Sequence, residues 1–219
     1  FSERQNAAGR VLATGVLPAS DTETRYIFDN LLKHGIDWVN YGEVVGLEVR
    51  TGHNIDMRFP GVFYNTDIKD EVKADYVVSQ IEAGVMPPYT FLLLPNDHTS
   101  GTDAGALSPE SMVSDNDYAV GMVVDAISKS EFWEKTVIFI FEDDPQIGAD
   151  HVDAHRSPTI VVSPWSKRGH VSSVLYSIPS IHRTAELILG LPPMTQYDAM
   201  ATPMSVSYTH LTLPTNREV

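Results

Sequence analysis

Carboxylate and imidazole side chains crowd into residues 142–156, directly after an apolar run. Asp143 and Asp144 are adjacent there, and His151 and His155 follow four residues apart. Such side chains are ligands for hard or borderline divalent metals, and so many carboxylates without a cation would repel one another. A solvated acidic loop is the alternative interpretation. Because the preceding run is too apolar for a surface strand, and α/β proteins bind ligands at the carboxyl edge of their sheets, we expect a metal site here.

A second apolar run, residues 89–94, also ends in side chains that can bind a metal. Asn96, Asp97 and His98 follow it after one proline. The carboxyl ends of parallel strands meet at one edge of a sheet, so we expect this group to lie within reach of the cation bound by the acidic stretch. Which of the three side chains is the ligand stays open at this point.

The composition describes an ordinary globular protein and excludes several partners. The chain has 219 residues, of which 42% are hydrophobic and 20% are charged. Its formal net charge of −14 argues against nucleic acid or an anionic membrane as a partner. It contains no cysteine, which excludes disulfides and thiolate zinc sites, so any metal must be held by oxygen and imidazole ligands. No apolar stretch approaches the length of a membrane span.

Helical and strand-like patterns alternate along the chain. This alternation predicts an α/β fold with a mostly parallel central sheet flanked by helices. The predicted strands are residues 36–41, 89–94, 137–141 and 159–163, and the predicted helices are residues 24–34, 71–83, a segment after Ser114 or Asp115, and residues 181–189.

Two of these helices carry specific expectations. In the helix at 71–83, Val72, Tyr76 and Ile81 are expected to face inward. Ser114 or Asp115 is expected to cap the next helix, whose inward face should include Tyr118, together with Met122, Ala126 and Ile127.

Three segments resemble one known family. They are Leu-Pro-Asn-Asp-His-Thr-Ser-Gly-Thr at 94–102, the acidic stretch at 142–156, and Glu-Leu-Ile-Leu-Gly-Leu-Pro-Pro-Met-Thr-Gln-Tyr-Asp at 186–198. They are similar to the phosphoesterase branch of the alkaline phosphatase superfamily, which includes bacterial phospholipase C and acid phosphatase enzymes. The resemblance extends roughly from Tyr26 to Met204. It implies that residues 1–205 are the C-terminal part of an alkaline phosphatase-like domain.

The resemblance assigns roles to the residues of the acidic stretch. Asp143 and Asp144 look like the paired aspartates that bind the catalytic metal. His155 resembles the last histidine that contacts the metal or the phosphate, with His151 as the nearby alternative. Arg156 would contact a phosphate oxygen, or else form a salt bridge with a neighbouring acid.

Asp97 and His98 fall where the superfamily places another pair of ligands, although the common Asp-x-x-x-His spacing would need a histidine at Ser100. The family also uses a Glu-Asn pair and a Ser or Thr nucleophile on its N-terminal side, and nothing upstream of Tyr26 resembles either. Thr99, Ser100 and Thr102 fit a loop better than a nucleophile. We therefore expect a fragment of a metal-dependent phosphoric ester hydrolase that lacks the nucleophile and is inactive by itself.

The same resemblance implies the partners and the location of the parent enzyme. The expected cofactor is a divalent metal, with Zn, Mn, Ca and Mg all open, and the expected substrate is a phosphorylated small molecule or lipid. The other expected partner is the N-terminal remainder of the domain, with a β-propeller in some longer relatives. The expected location is periplasmic or extracellular. A non-catalytic metal-stabilised binding domain and a sulfate or phosphonate ester hydrolase are the alternatives. Residues 206–219 have no amphipathic pattern and are expected to be a non-native tail.

Overall fold

The computed structural model describes residues 27–42, 56–62, 64–143, 157–169 and 172–207. The chain divides into two compact units, the first ending at Phe132 and the second beginning at Trp133. Each unit is described by itself.

The first unit contains a strand–helix–strand arrangement. In chain order its first elements are helix α1 (Ile27–Lys33), strand β1 (Trp38–Tyr41), helix α2 (Asp70–Glu82) and strand β2 (Tyr89–Leu92). The two strands pair in parallel, with Trp38 opposite Tyr89 and Tyr41 opposite Leu92. The predicted parallel pairing is therefore confirmed for these strands.

Aromatic packing holds α1 against this strand pair. Gly35 ends the helical segment with a φ of +67°, a conformation that glycine adopts without steric cost. Phe28 on α1 is buried and stacks on Trp38 of β1, with ring centroids 4.5 Å apart. Its ring also meets the edge of Phe91 on β2 at 5.7 Å. One phenylalanine thus joins the helix to both strands.

A short 3-10 helix, Pro95–His98, follows β2, and we call it the His98 turn. The long helix α3 comes next (Pro109–Lys129), and it begins earlier than predicted. Its N-cap is Ser108, whose hydroxyl accepts a hydrogen bond from the backbone N–H of Ser111, and Pro109 occupies the first turn, where a missing N–H costs nothing. The expected cap at Ser114 or Asp115 is therefore wrong.

The inward faces of α2 and α3 also differ from the expectation. Val72 is 45% exposed and Tyr118 is 62% exposed, although both were expected to face inward. Ile81 is buried as expected. Polar side chains such as Lys73 occupy part of the buried face. The inward face that the sequence predicted from apolar residues alone was therefore rotated about the helix axis. The apolar residues that are buried on the two helices are Ala74, Val77, Ile81, Met112, Ala119, Val123 and Ile127.

The second unit contains an antiparallel strand pair. Strand β3 (Ile138–Phe141) and strand β4 (Thr159–Val162) run in opposite directions, with Phe141 opposite Thr159. The parallel pairing expected here is wrong. An apolar run has the same pattern in either direction, so the sequence did not distinguish a parallel from an antiparallel pair here. Among the described residues the strands form two two-stranded sheets, a mixed helix and strand architecture consistent with α/β.

Two helices complete the described part of the second unit. They are α4 (Ile178–Leu189) and α5 (Gln196–Met200), followed by a 3-10 helix at Met204–Ser207. Helix α4 ends at Gly190 with a φ of +71°, as the sequence predicts. Ile181 and Met204 are buried together, and the partly buried side chains packed against them come from Val137, Phe139, Phe141, Val161 and Tyr176.

Residues 206 and 207 end this 3-10 helix, and the rest of the expected tail lies outside the described residues. Within the described parts of the chain, no helix combines the length and the apolar character that a bilayer span requires.

Candidate functional site

The His98 turn presents two of the predicted metal ligands at the carboxyl end of β2. Pro95 and Asn96 are buried, while Asp97 and His98 are half-buried at the margin of the unit. The proline favours the start of a tight helical turn because its φ is already restricted. The change from a buried base to a partly exposed tip makes these two side chains accessible from solvent. Asn96, Asp97 and His98 follow a strand as the sequence predicts, and their role as metal ligands stays a prediction.

The ring of His98 has a defined hydrogen bond. Its Nδ1 lies 3.1 Å from the carbonyl oxygen of Thr99. A carbonyl oxygen only accepts, so Nδ1 must carry the proton when the ring is neutral. The lone pair then resides on Nε2, which is the atom that could ligate a metal or accept a proton.

Unusual backbone conformations flank the same ring. Among the described residues, the non-glycine residues with positive φ are Tyr64 at 56° and Thr99 at 58°. Tyr64 meets His98 edge to face, with centroids 5.8 Å apart, and Thr99 is the next residue along the chain. Bulky and β-branched side chains rarely adopt positive φ, and such strain concentrates at functional sites. The local conformation therefore supports a functional role for the His98 turn.

The second predicted ligand group follows β3. Asp143 is exposed, two residues beyond the end of the strand. The backbone N–H of Glu142 donates to the carbonyl of Pro158 at 3.4 Å, which continues the antiparallel ladder. The chain thus leaves β3 and returns to β4 at the same end of the strand pair. The remaining predicted residues of this stretch lie outside the described residues, namely Asp144, His151, His155 and Arg156.

The predicted ligands are therefore described in two separate places. Asp97 and His98 are neighbours in the first unit, whereas Asp143 belongs to the second. Within the described ranges, no group of three or more His, Asp or Glu side chains is arranged to hold a metal ion. A shared metal site at both strand ends stays a prediction.

The hydroxyl groups beside His98 agree with their interpretation as loop residues. The side-chain oxygen of Thr99 accepts a hydrogen bond from the backbone N–H of Gly101 at 3.2 Å. Gly101 itself has a φ of +56°, which suits a tight turn.

The sequence analysis did not predict a charged cluster that Asp56 and Arg58, from a segment interpreted as a loop, form with Tyr76 of α2. Arg58 donates from Nε and Nη2 to the two carboxylate oxygens of Asp56, each at 3.0 Å. The hydroxyl of Tyr76 donates to Asp56 Oδ2 at 2.6 Å. The hydrogen bonds from Arg58, aided by that of Tyr76 and opposed by burial, lower the pKa of Asp56 to about 2. Burial, together with the charge of Asp56, raises the pKa of Tyr41 to about 12.

Polar side chains beneath the His98 turn were also missed. Asp115 and Asn116 lie in the second turn of α3, and Asp70 lies at the start of α2. A signal was present in the sequence, since Asp115 and Asn116 fall at helical spacing between Met112 and Ala119, which are both buried. Two polar residues within an apolar stripe indicate buried hydrogen bonding rather than a cap.

The chain matches the family model described as the Phosphoesterase family over residues 8–192, and it belongs to that family. No curated protein and no solved structure matched. The recognised resemblance is confirmed, although the match begins at residue 8, upstream of Tyr26, where the resemblance was expected to begin. Membership in this family supports hydrolysis of phosphoric esters.

Proposed function

We propose that this protein is a metal-dependent phosphoric ester hydrolase whose metal ligands are carboxylate and imidazole side chains that follow strands β2 and β3. The observation that carries the proposal is the family match, because residues 8–192 include both strand ends and all the side chains concerned. In this proposal Asp97 and Asp143 are ligands, as are Asp144, His98, His151 and His155, while Arg156 and His155 contact the phosphoryl group.

The donor chemistry of the described residues fits a divalent cation. Asp97 and Asp143 offer carboxylate oxygens, and the hydrogen bond of Nδ1 leaves the lone pair of His98 on Nε2. Cysteine is absent, which favours Mg²⁺, Mn²⁺, Ca²⁺ or an imidazole-bound Zn²⁺. When bound, such a cation supplies positive charge opposite the phosphoryl oxygens. The other proposed ligands, namely Asp144, His151 and His155, lie outside the described residues.

The proposal extends to the substrate and to the attacking group. A phosphorylated small molecule or lipid is the proposed substrate, in a periplasmic or extracellular setting. The hydroxyl nucleophile is proposed to come from outside the His98 turn, because the hydroxyl of Thr99 already accepts a hydrogen bond within its own loop. Turnover would then require residues beyond the strand ends described above.

Metal content tests the ligand assignment directly. The 219-residue chain, loaded with Mn²⁺ or Zn²⁺ and desalted, is expected to retain metal by elemental analysis. The double variant Asp143→Asn with Asp144→Asn should lose it, because the neutral amides remove two of the three proposed carboxylate ligands. Asp125→Asn is the matched control, since Asp125 is an exposed carboxylate on α3. Unchanged metal content in the double variant would refute the assignment.

Turnover is tested on an aryl phosphate and an aryl phosphodiester, each with added divalent metal. The 219-residue chain and a version extended upstream of Phe1 are assayed side by side. Metal-dependent hydrolysis by the extended version alone is the expected result. Hydrolysis by the 219-residue chain that is lost in Asp143→Asn would mean that the nucleophile lies within these residues. Failure of the extended version to hydrolyse either ester would favour a binding domain.

A further inference from the structure

A buried polar network lies directly beneath the His98 turn. The carboxylate of Asp70 accepts from the backbone N–H of Asn96 at 2.9 Å through Oδ2. Its other oxygen, Oδ1, accepts from Nζ of Lys73 at 2.7 Å, and both side chains of this pair are fully buried. Asp70 therefore connects the first turn of α2 to the backbone of the His98 turn.

Helix α3 contributes two further side chains to this network. Oδ2 of Asp115 accepts from Nδ2 of Asn96 at 2.8 Å and from the backbone N–H of Asp70 at 2.7 Å. Nδ2 of Asn116 donates to Oδ2 of Asp70 at 3.0 Å and to the carbonyl oxygen of Leu94 at 2.8 Å. The residues on both sides of Pro95 are thereby fixed, Leu94 through its carbonyl and Asn96 through its backbone and side-chain amides.

Several features of the turn lower stability rather than raise it. Asn96 is 2% exposed, and its Oδ1 has no hydrogen-bond partner among the described residues. Thr99 adopts a φ of 58° and a ψ of 176°, a region that is essentially restricted to glycine. The pair formed by Asp70 and Lys73 holds two charges away from water. Unfavourable features of this kind concentrate where a site requires one geometry.

We propose that Asn96 is a positioning residue. Together with Asp70, Asp115 and Asn116, it holds the His98 turn in the single conformation in which Asp97 and His98 bind the metal. This inference rests on the proposed function. A purely structural role, in which the network only joins α2 to α3, is the competing explanation. The two differ in one respect: only a positioning role makes the state of the His98 ring and the metal affinity depend on Asn96.

The test compares variants of the full 219-residue chain. Asn96→Ala removes the hydrogen bond from Nδ2 to Asp115. It keeps the hydrogen bond that the backbone N–H of residue 96 donates to Asp70. Val77→Ala is the matched control, because it makes a cavity in the buried face of α2 without touching the network. Asn116→Ser is the second variant, which keeps the proposal testable if Asn96→Ala does not fold.

The first readout needs no metal and no substrate. Protein labelled with ¹⁵N-histidine is examined by NMR at pH 8, and the His98 signals are assigned by their loss in His98→Gln. We expect the Nδ1–H tautomer in the wild type and in Val77→Ala. Mixed tautomers are expected in Asn96→Ala and Asn116→Ser, because the hydrogen bond to the Thr99 carbonyl depends on the conformation of the turn.

The second readout is the affinity for Mn²⁺ measured by calorimetry. Asn96→Ala and Asn116→Ser should weaken binding by about 10-fold or more, as loss of a residue that orients a ligand typically does, whereas Val77→Ala should change it less than about 2-fold. If both network variants keep the wild-type tautomer, or keep the wild-type affinity, the inference is overturned. If the wild type binds no Mn²⁺, the metal part of the proposed function fails, and the tautomer readout alone decides the positioning role.

Discussion

Lys73 donates from Nζ to Asp70 Oδ1 across 2.7 Å, and neither side chain is exposed to solvent. The two residues are three apart on α2, so the pair forms within one helical turn. Gly61 approaches the stem of Lys73 so closely that an added Cβ would lie 2.8 Å from its Cδ and Cε. The loop before α2 therefore packs over this lysine and seals the ion pair from water.

Removing the cation of this pair should destabilise the protein strongly. Lys73→Met keeps the apolar stem but leaves the Asp70 carboxylate buried without its cation, and we expect the unfolding free energy to fall by about 3–5 kcal/mol in urea denaturation. The control is Lys69→Met. Lys69 pairs with Glu71 at 3.0 Å on the surface, and its loss should leave the unfolding free energy nearly unchanged. Equal effects of the two substitutions would show that burial does not distinguish these pairs.

Relieving the backbone strain at Thr99 should stabilise the turn. Thr99→Ala removes the hydroxyl that accepts from Gly101 but keeps a side chain at a φ of 58°. Thr99→Gly removes the hydroxyl and also the steric cost, so the glycine variant should unfold with a free energy about 1 kcal/mol higher than the alanine variant. Thermal and urea denaturation of the pair measure this difference. A less stable glycine variant would mean that the conformation carries no strain.

Glu186 should make the stability of the protein depend on pH. Burial, together with a hydrogen bond to Asp198, raises its pKa from 4.5 to about 8. The folded protein keeps this proton where the unfolded chain has lost it, so the stabilisation is complete below pH 4.5 and disappears as pH rises through 8. The unfolding free energy should fall within this window by at most about 1.4 kcal/mol per pH unit.

Glu186→Gln imitates the protonated acid and should remove that contribution. Burial also lowers the pKa of His182, but this residue is present in both proteins. The difference between the wild type and Glu186→Gln therefore reports Glu186 together with Asp198, whose pKa is lowered, against the opposing effect of burial, by hydrogen bonds with Thr195 and Glu186. Glu134→Gln, at an exposed position of the same unit, should keep the wild-type pH dependence. Parallel pH profiles for the wild type and Glu186→Gln would contradict the prediction.

Asp56 should make the protein less stable as pH falls, which is the opposite of the pH dependence that Glu186 contributes. Its pKa in the folded protein is about 2, against an ordinary value of 3.8, so it stabilises the fold above pH 3.8 and this contribution is lost as pH falls through 2. Asp56→Asn should be less stable than the wild type at neutral pH and should lose less stability between pH 4 and pH 2. Acid unfolding followed by circular dichroism measures the effect. Asp75→Asn, an exposed carboxylate on α2, should follow the wild-type curve.

The sequence by itself determined the local elements and the family. The strands at β2 and β3 and the glycine stops at Gly35 and Gly190 agree with their predictions, because apolar runs and glycine conformation act over a few residues. The segments at 94–102, 142–156 and 186–198 carried the resemblance to the phosphoesterases, and the family match confirms it. Local sequence also predicted that polar side chains follow both strands.

Only the tertiary structure decided how these elements pair and what lies beneath the His98 turn. Strand β4 pairs with β3 in the antiparallel direction. The sequence did not predict this, because an apolar run has the same pattern in a parallel and in an antiparallel strand. The sequence predicted Asp115 as a possible cap for its own helix. In the structure its carboxylate accepts a hydrogen bond from the backbone N–H of Asp70, 45 residues earlier in the chain. The sequence places Asp115 and Asn116 within the apolar stripe of α3, but it does not indicate which residues they bond to, because hydrogen bonds between such distant residues form only when two helices have packed together.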